Sequence, residues 1–96
     1  MLKIESRLGT DQSQKYVDML SHHFARKVDV DRGGEETLVH FPMGKCWMRG
    51  QDKTLHFVCE AESEQALLVV RSIIDKHMHL LKKIRDQKLQ WSSVNE

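Results

Sequence analysis

The sequence predicts an α+β fold of two layers, an antiparallel sheet with two helices packed on one of its faces. Three observations carry this reading. Short segments alternate apolar and polar residues, two longer segments repeat apolar residues at helical spacing, and the five glycines and single proline fall mostly between the short segments. The element order that results is β-α-β-β-β-β-α. Hairpin-linked strands followed by a helix favour antiparallel pairing.

The first strand is Leu2 to Leu8, where Leu2, Ile4 and Leu8 alternate with Lys3, Glu5 and Arg7. Gly9-Thr10 ends it. Asp11 followed by Gln14 has the spacing of a capping box and predicts a helix from there to Lys27, with Val17, Leu20 and Phe24 on its apolar face and Tyr16 and His23 beside them. Val28 to Asp31 is a short alternating strand. Arg32-Gly33-Gly34-Glu35 is a hairpin turn, because glycine reaches positive φ without steric penalty. Thr37 to Phe41 returns as a strand, Pro42-Met43-Gly44 turns the chain, and Lys45 to Arg49 pairs with Thr54 to Ala61 across Gly50-Gln51-Asp52-Lys53. Ser63 caps a long second helix whose stripe is Ala66, Leu67, Val70, Ile73, Ile74, His77, Leu81 and Ile84. Leu89-Gln90-Trp91 either adds a final short strand or packs as a clasp.

Alternation also assigns the two sheet faces. Ile4, Leu8, Cys46, Met48, Leu55, Phe57 and Cys59, with Leu2, point toward the helices, as do Val39 and Phe41. Lys3, Glu5, Arg7, Lys45, Trp47, Arg49, His56, Val58 and Glu60 point away, with Leu38 and His40.

Size and composition suit one domain spanning residues 1–96. Hydrophobic residues at 40% and charged residues at 30% exclude a disordered chain, and a formal net charge of +1 gives no overall basic field for nucleic acid. The basic cluster Lys82, Lys83, Arg85 and Lys88 sits at the predicted C-terminal end of the second helix, where the macrodipole favours cations. No apolar run is long enough for a membrane span, and the charged start has no apolar leader. With two cysteines, this reads as a cytoplasmic protein with reduced thiols.

The outward face is the first candidate site. Trp47 and Val58, with His40 and His56, lie among Arg7, Lys45 and Arg49, a setting suited to a homodimer seam, a protein partner or a planar anion. The second candidate is a metal site. His23 and His77 approach each other if both helices share a sheet face, and Cys46 or Cys59 would complete a zinc or copper ligand set. Each histidine also has a purely structural reading, as a polar core group holding a backbone carbonyl. The cysteines likewise read as core packing. No paired-carboxylate, triad or phosphate-loop signature supports a small-molecule enzyme.

At His23-Phe24-Ala25-Arg26-Lys27 the chain resembles the family called domain of unknown function 2218. Thr10, Tyr16, Phe41-Pro42-Met43-Gly44 and Val58-Cys59-Glu60-Ala61 extend the resemblance over about residues 5 to 91. The family's late histidine corresponds to His77 or His79. The family then continues Arg-Phe-Ala, where this chain has Leu81-Lys82-Lys83-Ile84. The resemblance implies a small bacterial protein without an assigned activity. Relatives joined to siderophore-interacting flavin reductases imply a link to iron metabolism by association. The leading reading is a non-catalytic binding or accessory domain that self-associates. A metal- or iron-linked accessory protein is the alternative.

Overall fold

The computed structural model describes residues 1–81, 84 and 86–94. Its elements are β1 (Leu2–Gly9), α1 (Ser13–Phe24), β2 (Asp29–Gly33), β3 (Glu36–Phe41), β4 (Gly44–Gln51), β5 (Thr54–Ala61), α2 (Glu64–His77) and β6 (Ser92–Ser93). The strands form one six-stranded antiparallel sheet in the order β2-β3-β4-β5-β1-β6. Helix α1 lies chiefly over β4, and α2 over β5, on the same side, so the fold is the two-layer α+β arrangement expected from the alternation.

Period-2 patterning places the core. Leu55, Phe57, Cys59 and Ala61 of β5 are buried, while Thr54, His56, Val58 and Glu60 are half-buried on the other face. Cys46 and Met48 of β4 and Val39 and Phe41 of β3 complete the inner layer of the sheet. From α1 come Tyr16, Val17, Leu20 and Phe24, and from α2 Leu67, Val70 and Ile74. Strand β1 is weaker. Ser6 occupies an inner position, its Oγ buried without a hydrogen-bond partner among the described residues, and Leu2 is left exposed at the end of the sheet.

Several local details differ from the sequence expectation. Asp11 and Gln14 do not form a capping box. Instead the Gln12 N–H donates to Thr10 Oγ1 at 3.1 Å, Gln14 Nε2 donates to Asp18 Oδ1 at 3.2 Å, and α1 begins at Ser13. It also ends at Phe24, with Arg26 and Lys27 in the turn that follows. Gly50 stays in β4, and the turn is Asp52-Lys53 alone, both residues in left-handed backbone at φ 52° and 60°. That is the geometry of a type I′ hairpin turn without its usual glycine. Gly50 is needed for a different reason. A Cβ there would lie 2.6 Å from the Ser13 carbonyl carbon and 2.7 Å from the Gln14 nitrogen, so its absence lets α1 start directly on the sheet.

The second helix starts as expected, with Ser63 Oγ accepting from the Ala66 N–H at 3.1 Å. It stops at His77 rather than continuing to Ile84. The chain tightens into a 3₁₀ turn at Met78–Leu80, and Leu81 leaves helical space at φ −98°, ψ 81°. Leu81 and Ile84 are nevertheless buried, so the apolar pattern reported core positions beyond the end of the helix itself. The final strand is Ser92–Ser93, paired with Ile4 and Glu5, one step past the segment expected. Trp91 acts as the clasp, its Nε1 donating to Asp75 Oδ1 at 3.0 Å. Lys82, Lys83 and Arg85 of the basic cluster lie outside the described residues, and Lys88 is exposed. Among the described residues, no helix is long and apolar enough to cross a membrane.

Candidate functional site

With both helices on one side, the opposite face of the sheet is formed by side chains alone. The strand register arranges them in three rows. The middle row runs Glu5, Val58, Trp47, Leu38, Asp31 from β1 to β2. One flanking row runs Arg7, His56, Arg49, Glu36, and the other Lys3, Glu60, Lys45, His40, Asp29. Val58, Trp47 and Leu38 therefore form an unbroken apolar strip across the three central strands, each half-buried between the longer side chains around it.

Those long side chains are tied to each other. Glu5 Oε1 accepts from Arg7 Nη1 at 2.9 Å and lies 3.0 Å from His56 Nε2. His40 Nε2 lies 2.8 Å from Asp31 Oδ2. Arg49 reaches out of its row to Glu35 in the β2–β3 turn, at 2.9 Å, and stands 3.9 Å from Glu36, while its Nε is buried without a hydrogen-bond partner among the described residues. Lys3 Nζ stands 6.0 Å from the Trp47 ring centre, at the outer limit of a cation–π contact. Pairs this exposed contribute little stability, with a median of about 0–1 kcal/mol. Their effect is to frame the apolar strip. All seven residues singled out for this face, Arg7, His40, Lys45, Trp47, Arg49, His56 and Val58, share it. Leu38, Glu5 and Asp31 also belong to it. Alternation had already placed Leu38 and Glu5 on this side, whereas the contact of Asp31 with His40 needed the hairpin register.

On the helix side, His23 of α1 and His77 of α2 do meet. Their ring centres are 4.9 Å apart, and His77 also packs edge-on against Phe24. His77 Nδ1 lies 2.6 Å from the Ile73 carbonyl oxygen and His79 Nδ1 lies 2.7 Å from that of Lys76. A carbonyl can only accept, so each Nδ1 donates, which in a neutral imidazole leaves the lone pair on Nε2. His77 thus fits its structural reading, a polar group holding a backbone carbonyl. Burial, the neighbouring His77 and the cations Arg26 and Lys27 lower the His23 pKa from its ordinary value. The same cations disfavour a metal ion. Among the described residues, no group of three or more His, Cys, Asp or Glu side chains is placed to hold a metal.

Cys46 and Cys59 stand directly opposite each other on β4 and β5 and are both fully buried. Burial, reinforced by its contact with Cys59, pushes the Cys46 thiol well above the ordinary thiol range. A thiol held protonated in the core is a poor nucleophile and a poor metal ligand.

Three comparisons bear on identity. No curated protein matches the chain. The NMR structure of PA4090 from Pseudomonas aeruginosa has a similar fold, with a TM-score of 0.80, 17% sequence identity and 96% of each chain covered. At that identity the likeness is one of fold. The family described as an uncharacterized protein conserved in bacteria, domain of unknown function 2218, matches residues 5–92. A match of that extent, over a chain whose strands, helices and His23-Phe24-Ala25-Arg26-Lys27 segment are now placed, means that the chain belongs to the domain of unknown function 2218 family.

Proposed function

We propose that this protein is a non-catalytic binding or accessory domain that self-associates through the open face of its sheet. The observation behind this is the unbroken cross-strand strip of Leu38, Trp47 and Val58 on the face that neither helix covers. A central aromatic flanked by aliphatic residues and ringed by charge is the composition of an interface patch. Glu5 is engaged with Arg7 and His56, Asp31 with His40, and Arg49 with Glu35, an arrangement that serves recognition more readily than proton transfer.

The test is solution mass by light scattering across a concentration series, on the natural sequence and on Trp47→Asp. The reading expects a concentration-dependent dimer that the substitution converts to a folded monomer. A dimer that persists unchanged in Trp47→Asp, or a monomer at every concentration, would overturn it.

A further inference from the structure

The helix layer carries a second feature that does not depend on the reading of the open face. Along the outer side of α1, Asp18, His22 and Arg26 follow one another at four-residue spacing, with Met19 and His23 beside them. Arg32 reaches in from β2 and Leu80 from the 3₁₀ turn, and these side chains line an open cleft of about 590 Å³. That is enough room for a small organic molecule.

The cleft holds more cation than its neighbours consume. Asp18 is the carboxylate of its wall, and Arg32 and the Gln14 amide already hold it. That contact occupies one of the five donors of the Arg32 guanidinium. Among the described residues, the side chains of Arg26 and its neighbour Lys27 make no ion pair or hydrogen bond. Cations gather at helix C-termini, and both α1 and α2 end close by. Here, however, the terminal carbonyls have other partners. Ser21, His23 and Phe24 accept from the backbone N–H groups of Ala25, Arg26 and Lys27, while Ile73 and Lys76 accept from His77 and His79. The guanidinium of Arg26 is therefore not spent on capping. His23 registers the surplus, since every charged group that acts on it is a cation or another imidazole: His77, Arg26, Lys27 and His79.

We propose that this cleft binds a small organic oxyanion, a carboxylate or phosphate held by Arg26 and Arg32, with an apolar body resting on Met19 and Leu80. Planar guanidinium forks match the oxygen spacing of both groups. The cations that make the cleft unsuitable for a metal suit an anion. A bound anion offsets the positive field on His23 and lets its imidazole take a proton more readily. Binding is then linked to proton uptake, and affinity rises as pH falls through the His23 titration. Each unit by which occupancy raises that pKa is a tenfold gain in affinity.

The experiment is an NMR titration of the full chain that follows the ring signals of its six histidines. The probes are phenyl phosphate, benzoate, inorganic phosphate and neutral benzyl alcohol. Phenyl phosphate and benzoate should bind saturably and move His22 and His23, leaving His40 and His56 of the open face in place. The tighter of the two identifies the preferred headgroup. Benzyl alcohol lacks the charge and should not bind, and inorganic phosphate lacks the apolar body and should bind about tenfold more weakly than phenyl phosphate. Arg26→Gln should weaken phenyl phosphate about tenfold, whereas Lys45→Gln, the same charge change on the open face, should leave it unaltered. On saturation with benzoate the His23 pKa should rise. Equal weakening by the two variants, or shifts spread over all six histidines, would reduce the effect to general attraction and overturn the site. Inorganic phosphate binding as tightly as phenyl phosphate would overturn the organic ligand, and a His23 pKa unmoved by benzoate would overturn the proton linkage. None of these outcomes depends on whether the chain self-associates.

Discussion

The two faces of one sheet are built from the same strands and differ by a single residue step, yet they obey different rules. On the inner face, Cys46, Met48, Leu55, Phe57 and Cys59 are fully buried, and packing decides what fits. On the outer face, the neighbours Trp47, Arg49, His56 and Val58 are half-buried, and they are held by cross-strand contacts and ion pairs. The inner face holds the fold together, while the outer face is the one through which we propose that the protein self-associates. Removing one side chain at a time from adjacent positions should separate these roles.

The largest contrast is expected at Phe57 and Val58. Phe57→Ala empties a fully buried ring and should destabilise the protein by about 3–5 kcal/mol. Val58→Ala trims a half-buried group on the other face and should cost less than about 1 kcal/mol. Urea unfolding of both variants measures the difference. Similar losses would mean that the outer face is already part of a packed core, for instance across a tight dimer.

A smaller effect is expected where a helix rests on the sheet. Gly50→Ala places a methyl group within 2.7 Å of the Ser13 and Gln14 backbone. Backbone cannot move aside as a flexible side chain can, so the variant should lose about 1–3 kcal/mol. Gly9→Ala is the control, since a Cβ there meets nothing within 4 Å. Equal melting temperatures for the two would show that α1 does not begin where it is placed.

Gly50 also shows what the sequence could and could not reveal. Alternation read the strands and both faces, because side-chain direction in a strand depends only on position parity. The outer-face residues were legible for the same reason. Gly50 was misread as turn material because glycine serves turns and close approaches alike, and only the position of α1 distinguishes them. The actual turn, Asp52-Lys53, carries positive φ on residues with no glycine to announce it. The end of α2 was misplaced because Leu81 and Ile84 continue the helical spacing while reaching the core from a different backbone. The meeting of His23 and His77 followed from placing both helices on one face, but the carbonyl partners that set the imidazole tautomers are tertiary detail.

The smallest effect concerns pH, and it belongs to the helix side of the sheet. On the open face His40 and His56 each face a carboxylate. His23, on the helix side, faces His77, His79, Arg26 and Lys27, and burial and these cations lower its pKa in the folded protein. Below the ordinary histidine pKa of about 6.5 the unfolded chain therefore takes up a proton that the folded chain resists. Stability from this group is complete above that pH and declines as pH falls through the interval down to the lowered folded value. His23→Gln removes the titration while keeping a polar side chain, so its stability should fall less between pH 7.5 and pH 5 than that of the natural sequence. Carboxylates titrate in both proteins, and the difference between the two urea curves isolates the imidazole. An identical decline in both would mean that His23 is not held against its cationic neighbours. The contact of α1 with α2 would then be looser than the packing of Phe24 against Phe41 and His77 indicates.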